Sequence, residues 1–315
     1  MRKDPRANGL AKVRNKKMKI IPKGRIFRAA PVIVGIMIGC LTPGAAQEAA
    51  PPKKDTVRIS ISAMISPKNT FVYYQGILGY LSKKLGKPVE LVQRPTYAEV
   101  NDLVEKRDID LAFVCAGPYV AGKKKLNMEL IAAPVVHGEQ VYYSYIIVHK
   151  NSPIRSLKEL RKKNFAFTDP NSNTGFIVPK YYITKMGETI DLFFGQYIYT
   201  KSHDNSIKAV AEKTADGAAV DNLIWEYLNG TDPQYTSQTR VIEKLGPYGM
   251  PPVVVNPGLD AGMKAKIRNI LTTMHRDKEG RAILKKLFID RFAAIKDGDY
   301  ASVREMQAWI DKSEK

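Results

Sequence analysis

From residue 56 onward, apolar and polar positions follow two rhythms. In "TVRISISAM", Val57, Ile59, Ile61 and Ala63 fall on one face, the period of a strand. "NTFVYYQGILGYLSKKLG" then places Phe71, Tyr74, Leu78, Leu81 and Leu85 at helical spacing and ends at Gly86. "PVELVQ" predicts a short strand and "YAEVNDLVEKRD" an amphipathic helix. "IDLAFVCAG" is a nearly continuous apolar run, as expected of a strand covered on both faces. After "VYYSYIIVHK", a strong strand pattern, the alternation restarts. Ser156 and Glu159 form a capping box that predicts a helix over "SLKELRKK". "NFAFTD", "GQYIYT" and "GAAVDN" predict strands, and "NSIKAVAEKTA" and "LIWEYLN" predict helices between and after them. "TRVIEKLG" predicts a further strand, "PYGMPPVVVNPG" reads as Pro/Gly-rich connection, and helices are expected near 260–274, 278–287 and 300–311.

Strand–helix alternation of this kind predicts an α/β chain with largely parallel sheets. Two lobes are expected: the first from residues 56–147 plus 241–315, the second from 148–240. Two hinge crossings, near Val148 and Arg240, would leave a cleft between the lobes, a natural place for a ligand.

The net charge of +19 changes this picture less than it first suggests. Residues 1–46 hold eleven Lys/Arg against the single acid Asp4, and the remaining chain is only moderately basic, with acids interspersed. There is no arginine-rich arm, aromatic RNA-binding signature or zinc-finger spacing, so a nucleic-acid partner is not expected. The basic front end instead has the form of a secretory signal peptide over residues 1–46: cations at Lys23, Arg25 and Arg28, an apolar stretch from Ala29 to about Leu41, and small residues through Ala46. The true start is possible at Met18, and residues 47–55 read as a linker. "MIGC" loosely resembles a lipoprotein box, but Met37 and Ile38 fit it poorly, so cleavage near Ala46 is favoured over a lipid anchor at Cys40. The exported chain would then keep one cysteine, Cys115, and no internal disulfide.

The chemistry concentrates in "TDPNSNTGFIVPKYY". Ser172, Asn173, Thr174 and Gly175 stand between a predicted strand and a predicted helix. Two readings are open. These residue types are preferred helix caps. They could also converge with the free N–H groups of the first helical turn on an anion.

Three segments, "RPTYAEVNDLVEKRDIDLAFVCAGPYV", "YYSYIIVHKNSPIRSLKEL" and "TDPNSNTGFIVPKYY", resemble the periplasmic phosphonate/phosphite/phosphate-binding proteins of ABC importers, the PhnD-like family. The resemblance runs colinearly over about 56–290, and "DPNSNTGFIVP" is its most specific part. It implies a two-lobed periplasmic binding protein fold, type II-like, with a phosphorus oxyanion between the lobes. It also implies ligand contacts at Tyr97 of "RPTYAEV", at Tyr142 with Tyr143 adjacent in "VYYSYIIV", and at Ser172, Asn173 and Thr174. Family members often carry Thr or Ser where Asn173 stands. The family's histidine–acid pair resembles His203-Asp204, and a later acid resembles Asp221 of "AAVDNL". Each has a plainer alternative: packing tyrosines, caps at Asp204 and Asp221, a surface His203. A carboxylate near an anion can accept from a protonated ligand oxygen or pair with an aminoalkyl ammonium.

The resemblance implies export to the periplasm, a small oxyanion ligand, an ABC permease as partner, no cofactor and no metal. Cys115, at the end of a strand expected to face the crevice, divides the alternatives. It is either a small buried apolar residue or a soft ligand, as in arsenite-sensing AioX-like relatives that signal to a histidine kinase. No nucleophile elbow, metal-ligand cluster or HExxH motif points to an enzyme.

Overall fold

The computed structural model describes residues 55–314, so the expected leader and most of the linker lie outside the described residues. In chain order the elements are β1 (Val57–Ile61), α1 (Pro67–Leu85), β2 (Val89–Val92), α2 (Tyr97–Glu105), β3 (Leu111–Phe113), α3 (Ala116–Leu126), β4 (Glu129–Val135), β5 (Val141–His149), β6 (Asn164–Phe167), α4 (Val178–Lys185), α5 (Ile190–Phe193), β7 (Gln196–Tyr199), α6 (His203–Ala211), β8 (Gly217–Asp221), α7 (Asn222–Thr231), β9 (Thr239–Gly249), β10 (Val253–Val255), α8 (Ala261–Thr273), α9 (Lys278–Lys286), β11 (Arg291–Ala293) and α10 (Ala301–Ser313).

They build two sheets. The first has the order β11-β4-β10-β3-β1-β2, and the second β7-β6-β8-β5-β9. In the first, β1 runs parallel to β2 and β3, while β10 is antiparallel to β3 and β4. In the second, β6 runs parallel to β7 and β8, and β5 is antiparallel to β8 and β9. Parallel strands need crossover helices, which cover the sheet faces and bury strands such as Leu111–Phe113 and Gly217–Asp221 completely.

Several details differ from the sequence reading. Val148 and Arg240, the expected hinge positions, are partners across the β5–β9 ladder, well inside the second sheet. The chain passes between the sheets at 136–140 and 250–252 instead. Alternating apolar residues reveal a strand but not the sheet that takes it. The "SLKELRKK" segment forms only a 3₁₀ turn, Leu157–Leu160, and Ser156 makes no cap bond to its backbone; Glu159 reaches back to the Ser156 hydroxyl and the Arg155 amide instead. In α1 the buried stripe runs through Thr70, Ile77, Leu78, Leu81 and Leu85, whereas Phe71 is 54% exposed. The Pro/Gly-rich "PYGMPPVVVNPG" hides β10, which slots antiparallel between β3 and β4. The closing helix α10 packs on α4 of the second lobe and also touches α3 of the first.

Candidate functional site

The C-terminal ends of β1, β3, β6 and β8 meet where the two lobes touch. Each leads into a loop or a helix N-terminus, where backbone N–H groups lack intrahelical partners and the dipole is positive. The lobes are in direct contact there. The amide of Tyr97, first residue of α2, donates to Asp169 Oδ2 at 3.3 Å, and the amide of His203, first residue of α6, donates to the carbonyl of Met64 at 3.0 Å. Gly117 of α3 sits so close to the Asn171 carbonyl that a Cβ would collide with it.

The "DPNSNTG" turn resolves into a cap and a cradle. Ser172 is the cap: its Oγ accepts from the Gly175 amide at 3.1 Å. The turn that follows, Asn173–Ile177, is wound as a π-helix, with the Val178 amide bonded to the Asn173 carbonyl before α4 begins. Such π segments recur at functional sites because they re-aim side chains. Gly175 has no alternative, since a Cβ would strike Thr168 Oγ1 and crowd Ser172 Oγ. Asn173 donates through Nδ2 to the Tyr142 hydroxyl at 3.0 Å, and that hydroxyl lies 3.4 Å from Cys115 Sγ. The Ser172 side chain adjoins the Tyr97 hydroxyl without hydrogen-bond geometry.

Six side-chain polar atoms at this junction are buried and have no hydrogen-bond partner in the protein: Ser62 Oγ, Tyr97 OH, Asn173 Oδ1, Thr174 Oγ1, Ser202 Oγ and His203 Nε2. Leaving a buried polar group unpaired costs about 1–3 kcal/mol, so six in one place is a feature rather than an accident of packing. Five of the six are hydroxyls or an imidazole nitrogen able to donate. None of the side chains gathered here is a lysine or arginine.

Burial sets the protonation states. It lowers the His203 pKa to about 3, with Asp204 pulling the other way, so the ring is neutral. It raises Asp221 to about 7, against the amides of Leu223 and Ile224, which hold the carboxylate form. Asp221 caps α7, its Oδ1 accepting from the Leu223 amide at 2.8 Å. Burial also raises Cys115, opposed by its contact with Tyr142, so the thiol keeps its proton. Tyr97 and Tyr142 are pushed well above the usual phenol range, first by burial and then by Cys115 and nearby carboxylates.

Of the residues singled out in the sequence, Tyr97, Cys115, Tyr142, Ser172, Asn173, Thr174, Gly175, His203 and Asp221 come together in this cluster. Tyr143 does not: it points to the opposite face of β5, under Lys244 Nζ, which lies 3.7 Å from its ring centre. Asp204 sits at the rim, where its carboxylate accepts from the Ser66 amide at 2.9 Å and Asn69 Nδ2 at 3.1 Å, tying α6 to the start of α1. Ser62, Asp169 and Ser202 belong to the junction but were not singled out. Ser202 carried a signal of sorts: it holds the N-cap position of α6 yet makes no cap bond. Among the described residues, no group of three His, Cys, Asp or Glu could hold a metal ion.

The model of one family, described as "ABC transporter, phosphonate, periplasmic substrate-binding protein", matches residues 59–300. The phosphonates-binding periplasmic protein of Escherichia coli (strain K12) is 26% identical over 271 residues, covering 84% of this chain and 79% of that protein. Among solved structures, a binding protein component of an ABC phosphonate transporter from Pseudomonas aeruginosa superposes with a TM-score of 0.77 at 24% identity, over 82% of this chain and 87% of the other. A Prochlorococcus marinus protein in complex with methylphosphonate gives 0.74 at 21% identity, over 82% and 99%.

Proposed function

Because the chain belongs to the periplasmic phosphonate-binding family of ABC-transporter substrate-binding proteins, we propose that the buried cluster between its lobes captures a phosphorus oxyanion for delivery to an ABC permease. One observation carries the reading: hydrogen-bonding groups from both lobes converge without partners of their own. A phosphonate head presents three oxygens that only accept once ionised. The hydroxyls of Ser62, Tyr97, Thr174 and Ser202 and the Nε2–H of His203 only need acceptors. Hydrogen bonds to a charged group contribute about 1.5–3 kcal/mol each, so a handful can hold an anion without a fixed cation. The helix N-termini supply the rest of the favourable potential.

Asp221 tunes the ionisation state. Protonated, its carboxyl donates to a phosphonate oxygen; ionised, it repels the dianion. The names of the relatives favour phosphonate, phosphite or phosphate as ligand: one is a probable phosphite-binding protein and another a phosphate-import protein. Export through the leader in residues 1–46 would place the protein beside its permease. The sensor reading draws nothing from the names of the relatives, and it would rest on Cys115 alone, a buried thiol that is the one cysteine among the described residues. Arsenic(III) prefers soft sulfur donors, and here the sulfur's neighbour is a phenol.

Titration calorimetry with methylphosphonate, phosphite, phosphate and arsenite tests the reading. Binding of at least one phosphorus oxyanion, weakened about 10- to 150-fold in Tyr97→Phe, is expected. Binding of arsenite alone would overturn it.

A further inference from the structure

Three helices that start at the junction receive a cap bond from the opposite lobe. α1 begins after Ser66, whose side chain makes no cap bond; the Ser66 amide is held instead by Asp204 Oδ1 of the second lobe at 2.9 Å. α6 begins after Ser202, whose side chain likewise caps nothing, and its first amide, that of His203, reaches the Met64 carbonyl of the first lobe at 3.0 Å. α2 has a capping box of its own, Thr96 with Glu99. That box satisfies the amides of Thr96 and Glu99 and leaves the Tyr97 amide over. Asp169 of the second lobe takes it at 3.3 Å.

Asp169 is the deeply buried carboxylate of this set, at 3% exposure. Its two oxygens are divided between the lobes. Oδ1 accepts from the Asn171 amide at 2.7 Å and from Asn171 Nδ2 at 3.3 Å, closing the turn that leads to Ser172, while Oδ2 accepts from Tyr97. None of these partners is a lysine or arginine. Burying a carboxylate without a paired cation is costly, and the positive end of α2 offsets that cost here. The same turn presses the Asn171 carbonyl against Gly117 in the first turn of α3, so one short segment of the second lobe seats against two helix starts of the first. Tyr97, whose amide Asp169 holds, is also the residue whose hydroxyl stands unpartnered among the donors.

We infer that Asp169 is a positioning residue for oxyanion capture: by capping α2 across the cleft it couples the Ser172–Thr174 turn to Tyr97 and holds the lobes closed over the ligand. This role rests on the oxyanion reading above and goes beyond it, because the charge of Asp169 has the wrong sign for contact with the ligand. Both of its oxygens have protein partners, and the α2 N-terminus they occupy is withdrawn from the ligand. The oxyanion is left to the unpartnered side-chain donors and the remaining helix starts.

Asp169→Asn discriminates this role from plainer ones. Asparagine keeps one acceptor oxygen for the Asn171 amide, as an Asx turn requires, and turns its NH2 toward the Tyr97 amide, so donor meets donor across the cleft. Calorimetry and stopped-flow with methylphosphonate compare the variant with wild type. Affinity should fall about 5- to 150-fold, the equivalent of leaving buried groups unpaired. The loss should lie in faster release, with association little changed, and the melting temperature of the ligand-free protein should stay close to wild type. Asp169→Ser also keeps the turn through its hydroxyl and is too short to reach Tyr97. It should release ligand faster as well, by a smaller factor, since no NH2 then faces the amide. If Asp169 only closed its own turn, Asp169→Asn would bind as wild type does; if it only repelled the ligand, the variant would bind tighter. Either result, or a loss confined to association, would overturn the role given to Asp169 and leave the oxyanion site standing. Failure of the wild type to bind any phosphorus oxyanion would overturn the oxyanion reading and this role with it.

Discussion

The backbone amide of Asp221 donates to Nδ1 of His203 at 3.1 Å, and this bond decides where the imidazole proton sits. Nδ1 is an acceptor, so in the neutral ring the proton is on Nε2, the buried nitrogen with no partner in the protein. The second lobe therefore presents a neutral donor whose tautomer is set by the strand end that also carries Asp221.

His203 should stay neutral across the pH range in which the protein works, since burial lowers its pKa to about 3. The unfolded chain binds that proton near 6.5 and the folded one does not, so this group costs stability as pH falls from about 6.5 toward 3. Nitrogen NMR of labelled histidine should show one buried ring with a protonated Nε2 and no titration between pH 5 and 8. A ring that titrated in that window would contradict the assignment.

Asp221 behaves in the opposite sense. Its folded pKa is raised to about 7 from 3.8, so the folded state holds a proton that the unfolded state has released. Its contribution to stability is full below about pH 4 and is lost as pH rises through 7. Asp221→Asn keeps a good N-cap for α7 and removes the charge. The variant should gain melting temperature relative to wild type between pH 5 and 8. Its oxyanion affinity should depend less steeply on pH than that of wild type over the same range.

Thr174→Ala removes one buried, unpartnered hydroxyl from the cluster while keeping the π-turn backbone, whose carbonyl at this residue still accepts from Ser144. Affinity should fall about 10- to 150-fold, the equivalent of ~1.5–3 kcal/mol for a bond to a charged acceptor. The melting temperature of the ligand-free protein should not fall. Unchanged affinity would mean the turn is a helix start and nothing more.

Gly117→Ala tests how closely the lobes must approach. Its added methyl would collide with the Asn171 carbonyl of the opposite lobe. Within α3 itself alanine is the better helix former, so the lobes should fold normally and fail only to meet. Small-angle scattering at saturating ligand should give a larger radius of gyration than wild type, with much weaker binding.

Asp204→Ala should loosen the junction without touching the donors. It removes the carboxylate that accepts from Ser66 and Asn69 across the lobes. Losing an exposed cap-like interaction costs about 1 kcal/mol, so ligand release in stopped-flow should quicken roughly fivefold, with association little changed.

Much of this was legible along the chain, because it depends on local order. Period-two runs such as Val57, Ile59 and Ile61 must bury one face, and β1 forms there. Ser172 followed by Asn173, Thr174 and Gly175 reads as a capped helix start, and Ser172 caps it. Tyr97, Cys115 and Asp221 each sit where a strand or loop gives way to a helix, the place where free N–H groups gather.

Other features were settled only when the two lobes came together. Alternation cannot say which sheet takes a strand, so β5 and β9 proved to be neighbours where a hinge was expected. It cannot say on which side of a strand two adjacent tyrosines act, yet Tyr142 enters the cluster and Tyr143 stacks under Lys244. Ser62 and Ser202 look like ordinary small polar residues in one dimension. They gain meaning only because burial strips them of water and leaves their hydroxyls unpaired. A sequence records which groups can donate or accept; only packing between lobes decides which lose water, and that loss is what makes an anion worth binding.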